Sequence, residues 1–150
     1  MLIDTRMDWT VTTIEETAAA AQAVLDQHTP HAQATVLALH GDLGAGKTTF
    51  VQQLASMLGV AEPVTSPTFV IQKNYATTAP WQQLVHIDAY RLDDPAELAR
   101  LGWAELLRSP QTLICIEWAE RVAELLPAET THLTFTLLDG HRVITSRHGT

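Results

Sequence analysis

Residues 38–50 read "ALHGDLGAGKTTF", and this stretch constrains the chain more than any other. An almost continuous apolar run, "ATVLALH", has the form of a short strand covered on both faces. It delivers the backbone to Gly41, Asp42, Leu43, Gly44, Ala45, Gly46, Lys47 and Thr48, which fit the pattern glycine, four residues, glycine, lysine, then serine or threonine. "KTTFVQQLASMLG" follows as a helix with Phe50, Leu54, Met57 and Leu58 on one face and Gly59 as its C-terminal cap. Strand, glycine loop and helix in that order are the context in which the pattern holds phosphates. Glycines let backbone amides and the helix N-terminus approach an anion closely. Lys47 then neutralises charge on β and γ phosphates, and the Thr48 hydroxyl is a suitable hard oxygen ligand for Mg²⁺. The expected ligand is a purine nucleoside triphosphate.

The rest of the chain is consistent with an α/β domain. "TIEETAAAAQAVLDQH" predicts a first helix with a capping box from Thr13 to Glu16. Strands are expected at "FVIQKNYA", "QLVHIDAYRL" and "TLICIEW". A helical stretch opens at Asp94-Pro95, a short helix at "ERVAELL" stops before Pro127, and "HLTFTLLDGHRVITSR" predicts a hairpin turning at Asp139-Gly140. The fold expected is a three-layer α/β arrangement of the P-loop NTPase type. Its mixed sheet is partly parallel near the loop and ends in a C-terminal β-hairpin. With 150 residues, 46% of them hydrophobic, there is enough for one core and too little for two, so residues 1–150 are expected to form a single domain.

Nucleotide turnover also needs a second carboxylate for the metal and a group to place water. "LICIEW" ends an apolar strand on Glu117, which is either that carboxylate or a solvated acid at a strand end. In "HIDAYRL", alternation places His86, Asp88 and Tyr90 opposite Val85 and Ile87. His86 and Tyr90 are read as structural, and Asp88 as a carboxylate near the γ phosphate or its metal. "TSPTF" offers the hydroxyls of Ser66 and Thr68 either to a phosphate or as part of a proline turn.

"GDLGAGKTTF", "SPTF", "HIDAYRL" and "IEW", in this order and at these spacings, closely resemble the TsaE (YjeE) family of bacterial tRNA threonylcarbamoyladenosine biosynthesis ATPases. The resemblance covers nearly the whole chain. It implies a small ATPase, binding ATP/ADP with Mg²⁺, that supports the turnover of TsaB and TsaD and meets tRNA only through them. By motif it implies that Gly41 to Thr49, including Thr49 itself, bind phosphates, that Thr48 and Glu117 hold Mg²⁺, and that Lys47, Asp88 and Glu117 serve hydrolysis. Ser66 to Phe69 would form a switch, Trp118 would lie near the nucleotide, and adenine would lie near Thr13 and Ile14.

Charge and composition narrow the setting. A formal net charge of -8 and a pI near 5.2 argue against a broad nucleic-acid surface, so tRNA binding by the chain alone is expected to be weak. The single cysteine, Cys115, excludes a disulfide framework and fits a reducing cytoplasm. No apolar run reaches the ~20 residues of a membrane span, and "MLIDTRMDW" lacks the layout of an export signal. Two other functions also use a phosphate loop. A small-molecule kinase would need a lid of clamping arginines, and Arg91, Arg100, Arg108 and Arg121 are scattered. An ATP-sensing partner without turnover could dock through "LARLGWAELL", although Trp103 there reads better as core.

Overall fold

A computed structural model describes residues 6–42, 44–68 and 70–149. The elements run β1 (Met7–Val11), α1 (Ile14–Asp26), β2 (Thr35–Gly41), α2 (Lys47–Met57), β3 (Gln72–Ala76), β4 (Gln83–Asp88), α3 (Pro95–Arg100), α4 (Trp103–Leu107), β5 (Thr112–Glu117), a 3₁₀ segment (Ala119–Leu125), β6 (Thr131–Leu138) and β7 (His141–His148). All seven strands join one mixed sheet in the order β1-β7-β6-β2-β5-β4-β3. β2 runs parallel to β5 and β6, and β4 parallel to β5, while β1, β3 and β7 pair antiparallel. The expected mixed sheet and terminal hairpin are therefore present.

Alternation along β2 explains why its sequence shows no polar face. Leu37 and Leu39 pack under α1 and α2 with Val24, Phe50, Leu54, Leu113 and Leu133. Val36 and Ala38 point to the other side, where Leu98, Trp103, Ile116 and Val122 cover the sheet. Both faces being buried, every side chain of the strand centre must be apolar. This gives the three layers. Trp103 is 4% exposed and its indole N–H donates to the Leu125 carbonyl at 2.9 Å, so it belongs to the core and offers no docking surface.

Local signals hold where the interactions are local. The Thr13 hydroxyl accepts from the Glu16 N–H at 3.1 Å. The Glu16 carboxylate reaches back one residue further than the usual box, to the Thr12 N–H at 3.1 Å and the Thr12 hydroxyl at 2.6 Å. These bonds, the Thr12 hydroxyl first, hold the Glu16 carboxyl below its ordinary range. Helix α2 ends as its glycine predicts: Gly59 at φ 77 donates to Ser56, and Val60 closes onto the Ala55 carbonyl at 3.0 Å.

Five features differ from expectation. β1 carried no sequence signal and is found paired to β7. The strand expected from residue 69 starts at Gln72, because the Val70 and Ile71 amides turn back onto the Pro67 carbonyl and Ile71 sits at φ 69. The strand expected to reach residue 92 stops at Asp88, where the chain turns and Leu92 N–H bonds the Ala89 carbonyl. The helix after Pro95 is split by Gly102 at φ 91, and "ERVAELL" is a 3₁₀ segment broken at Val122. At residues 70–72 and 89–92 a hydrogen-bonded turn overrides the strand propensity of the residue types.

Gly41 has no room for a side chain. A Cβ there would stand 2.5 Å from the Phe135 carbonyl oxygen and 3.0 Å from Phe135 Cβ, at a φ of 146. Gly41→Ala is therefore expected to lower stability by about 1–3 kcal/mol, read as an earlier midpoint in urea denaturation. An unchanged midpoint would mean that β6 can move away from the loop strand at no cost.

Candidate functional site

The C-terminal ends of three adjacent parallel strands meet at one edge of the sheet. β2 supplies the glycine loop, β5 ends on Glu117 and β4 ends on Asp88, with Asp88 and Glu117 paired in register. Ligands of open α/β sheets bind at this end of the strands. A cleft of about 610 Å³ opens there, lined by the loop, by Ser66, Thr68 and Asp88, and by Glu117, Trp118 and Arg142.

The loop is shaped for an anion. Gly44 and Gly46 take φ 82 and 106, and Gly46 is the first cap of α2 with no side chain bonding its amides. The first intrahelical bond runs from Phe50 to the Gly46 carbonyl at 3.0 Å. The amides of Lys47, Thr48 and Thr49 therefore have no acceptor within the helix. Gly44, Gly46, Lys47, Thr48 and Thr49 all line the cleft. Ala45 is 1% exposed and turns its amide onto the Asp42 carbonyl at 3.1 Å, so it and exposed Asp42 shape the loop from outside the lining. Gly41 contributes its carbonyl to Lys47; Leu43 and Phe69 lie outside the described residues.

Lys47 is 5% exposed, and its ammonium donates to the Gly41 carbonyl at 2.6 Å and lies 4.2 Å from the centre of the Trp118 ring. The indole face attracts the cation. Trp118 itself sits at φ 57, a backbone state that a bulky residue rarely adopts, at the sharp bend that follows Glu117. Tyr90 leans against it with ring centroids 5.1 Å apart and is 48% exposed. The reading of Tyr90 as structural thus changes: it lies beyond β4 and lines the cleft.

Two carboxylates are held differently. Glu117, 4% exposed, accepts the Thr48 hydroxyl at 3.2 Å and His86 Nε2 at 2.6 Å. Asp88, 3% exposed, accepts the Thr68 hydroxyl at 2.8 Å, the Ser66 hydroxyl at 3.4 Å and the Tyr90 amide at 2.9 Å. The Ser66 and Thr68 hydroxyls also bond each other at 2.8 Å. The "TSPTF" loop is thus brought to the cleft as well as forming a turn. Burial, and secondarily the Glu117 charge, raises the Cys115 thiol well above its ordinary range. That residue is inert core.

His86, read as structural, is fully buried and hydrogen-bonded to Glu117. One cleft residue escaped sequence reasoning. Arg142, on β7, donates from Nη2 to the Gly44 carbonyl at 3.3 Å, across 98 positions of sequence. No motif covers it. By contrast, none of Arg91, Arg100, Arg108 and Arg121 is among the residues lining the cleft; Arg121 lies 5.4 Å over the outer face of Tyr90.

With this constellation in place, comparison with known proteins is decisive. The family model described as "Threonylcarbamoyl adenosine biosynthesis protein TsaE" matches residues 11–144. The chain belongs to the TsaE family. Among its relatives, the tRNA threonylcarbamoyladenosine biosynthesis protein TsaE of Bacillus subtilis (strain 168) is 40% identical over 124 residues, 83% of this chain and 73% of that one. TsaE of Treponema pallidum (strain Nichols) is 41% identical, with 75% of this chain and 82% of that one covered. A crystal structure of Bacillus subtilis YdiB superposes with a TM-score of 0.78 at 30% identity, covering 100% of this chain and 90% of the other. All four TsaE-like stretches, "GDLGAGKTTF", "SPTF", "HIDAYRL" and "IEW", fall within the matched span, and each contributes residues to the lining of the cleft.

Proposed function

We propose that the chain is a Mg²⁺-dependent ATPase of tRNA threonylcarbamoyladenosine (t6A) biosynthesis, working in the cytoplasm with TsaB and TsaD and meeting tRNA through them. The observation that supports it most is the convergence of free helix-end amides, Lys47, Thr48 and two buried strand-end carboxylates on one cleft. The residues fit the metal. The Thr48 hydroxyl and the Glu117 carboxylate already lie 3.2 Å apart with no protein cation between them, a pair of hard oxygens suited to an ion that takes few protein ligands. Bound Mg²⁺ would draw charge from the β and γ phosphates.

The chain's own groups then have separable tasks. Amides of Gly44 and of Gly46 to Thr49 receive the phosphate oxygens, and Lys47 leaves the Gly41 carbonyl to meet the same charge. Asp88 exchanges the Ser66 and Thr68 hydroxyls for the attacking water, which it orients and from which it draws a proton. Release of that loop lets its hydroxyls follow the terminal phosphate, and Ile71 at φ 69 is the strained point from which it can move. A kinase reading has less support, because the cleft gains no arginine from a lid.

The test is phosphate release with Mg²⁺, alone and with TsaB and TsaD, in the natural chain and in Asp88→Asn. The natural chain is expected to turn over slowly alone and faster with both partners. Asn at 88 can still accept the Tyr90 amide, so it should slow turnover by about 10²-fold while leaving ATP affinity within about 3-fold. Turnover in Asp88→Asn equal to that of the natural chain would remove Asp88 from the reaction. Phosphoryl transfer to an added metabolite would favour the kinase.

A further inference from the structure

Arg142 is placed with unusual firmness for an exposed arginine. It stands second in β7 with its backbone paired on both sides, to Val11 of β1 and to Leu137 of β6. A side chain on a doubly paired strand is aimed by the sheet, whereas one on a loop is not. Its stem crosses the glycine loop so closely that a Cβ on Gly46 would come within 3.3 Å of its Cδ. Its guanidinium reaches the Gly44 carbonyl with one of five N–H donors, at the rim of the cleft.

Charge gives this placement a purpose. Among the described residues lining the cleft, the bases are Lys47 and Arg142 and the acids are Asp88 and Glu117. Without Arg142 the cleft would offer one cation against two carboxylates, in a chain of net charge -8, to a ligand that is itself strongly anionic. Guanidinium is suited to phosphate because its planar fork matches two oxygens and never loses its charge.

We infer that Arg142 is a phosphate-binding residue of this cleft, taking oxygens of the nucleoside polyphosphate from the hairpin side while Lys47 takes them from the loop. The inference rests on the nucleotide reading above. A bare scaffolding role, holding the loop through the Gly44 carbonyl, is the alternative, and the two differ in what charge does.

Calorimetry of ATP and ADP binding with Mg²⁺, at low salt and at ~0.5 M salt, separates them. Arg142→Gln keeps an N–H donor for the Gly44 carbonyl but removes the charge. It is expected to weaken both nucleotides by about 10–100-fold at low salt, with a smaller loss at high salt. Arg142→Lys keeps the charge but loses the fork, so it should weaken binding less than Arg142→Gln, by about 3–10-fold at low salt, and it carries the test should the Gln variant fail to fold. Binding by either variant equal to the natural chain, a loss indifferent to salt, or a loss in Arg142→Lys as large as that in Arg142→Gln overturns the role of Arg142 and leaves the nucleotide reading standing. No binding of either nucleotide by the natural chain overturns both.

Discussion

Lys47→Ala is expected to lower ATP affinity by about 10²–10³-fold in calorimetry with Mg²⁺, the equivalent of roughly 3–4 kcal/mol for a charge-assisted bond in a shielded site. The ammonium is 5% exposed and lies between the Gly41 carbonyl at 2.6 Å and the Trp118 ring at 4.2 Å. It is already desolvated, so its transfer to phosphate costs little further dehydration. Its removal leaves Asp88 and Glu117 facing the incoming anion with Arg142 alone to offset them. The fold should persist, since the Gly41 carbonyl and the indole can both be satisfied by water. A thermal midpoint close to that of the natural chain, together with lost binding, is the expected pair of results. Retained nanomolar-to-micromolar binding in Lys47→Ala would show that the cleft does not hold phosphates through this group.

The second large effect is expected from His86→Leu. His86 and Glu117 form a 2.6 Å pair, 0% and 4% exposed, through the same carboxylate oxygen that the Thr48 hydroxyl reaches. His86 Nδ1 is buried with no partner, so the arrangement that leaves no buried N–H unsatisfied has Nε2–H donating to Glu117. Leucine fills similar volume but withdraws that donor, and a buried carboxylate left with the Thr48 hydroxyl alone is costly. Stability should fall by about 2–4 kcal/mol in urea denaturation. The Mg²⁺ concentration needed for half-maximal ATP binding should rise by about 10-fold or more, as is typical when the group that orients a metal ligand is lost. His86→Gln, which restores a donor, should recover much of the stability. Unchanged Mg²⁺ dependence in His86→Leu would confine His86 to packing.

Much of the cleft was legible in the sequence because its signals are local. Gly41 to Thr48 lie within one turn of chain, and their chemistry depends on backbone freedom and helix direction that eight residues can specify. Glu117 was legible as an acid ending an apolar strand, and Asp88 by alternation within a strand expected to run to residue 92; the turn at Ala89 to Leu92 makes it a strand end. Ser66 and Thr68 were legible only as alternatives, and their bonds to Asp88 across 22 and 20 positions decide between them. Trp103 read better as core than as surface, and its burial and its indole bond to the Leu125 carbonyl agree. The course of residues 70–72 was misjudged because bonds back to Pro67 end the extended run that the residue types favour.

Residue order by itself determined a glycine loop between a strand and a helix, the acid that closes a later strand, and the α/β alternation that buries both faces of β2. These follow from periodicity and from contacts a few residues apart, which any folded form of the chain must respect. Tertiary structure alone decided that β1 and β7 complete the sheet beside β6, and so that Arg142 hangs over Gly44 and Gly46. It likewise decided that His86 sits under Glu117 and Tyr90 against Trp118. The reason is register: on a strand, a shift of one residue turns every side chain to the opposite face, and only pairing with distant strands sets that shift.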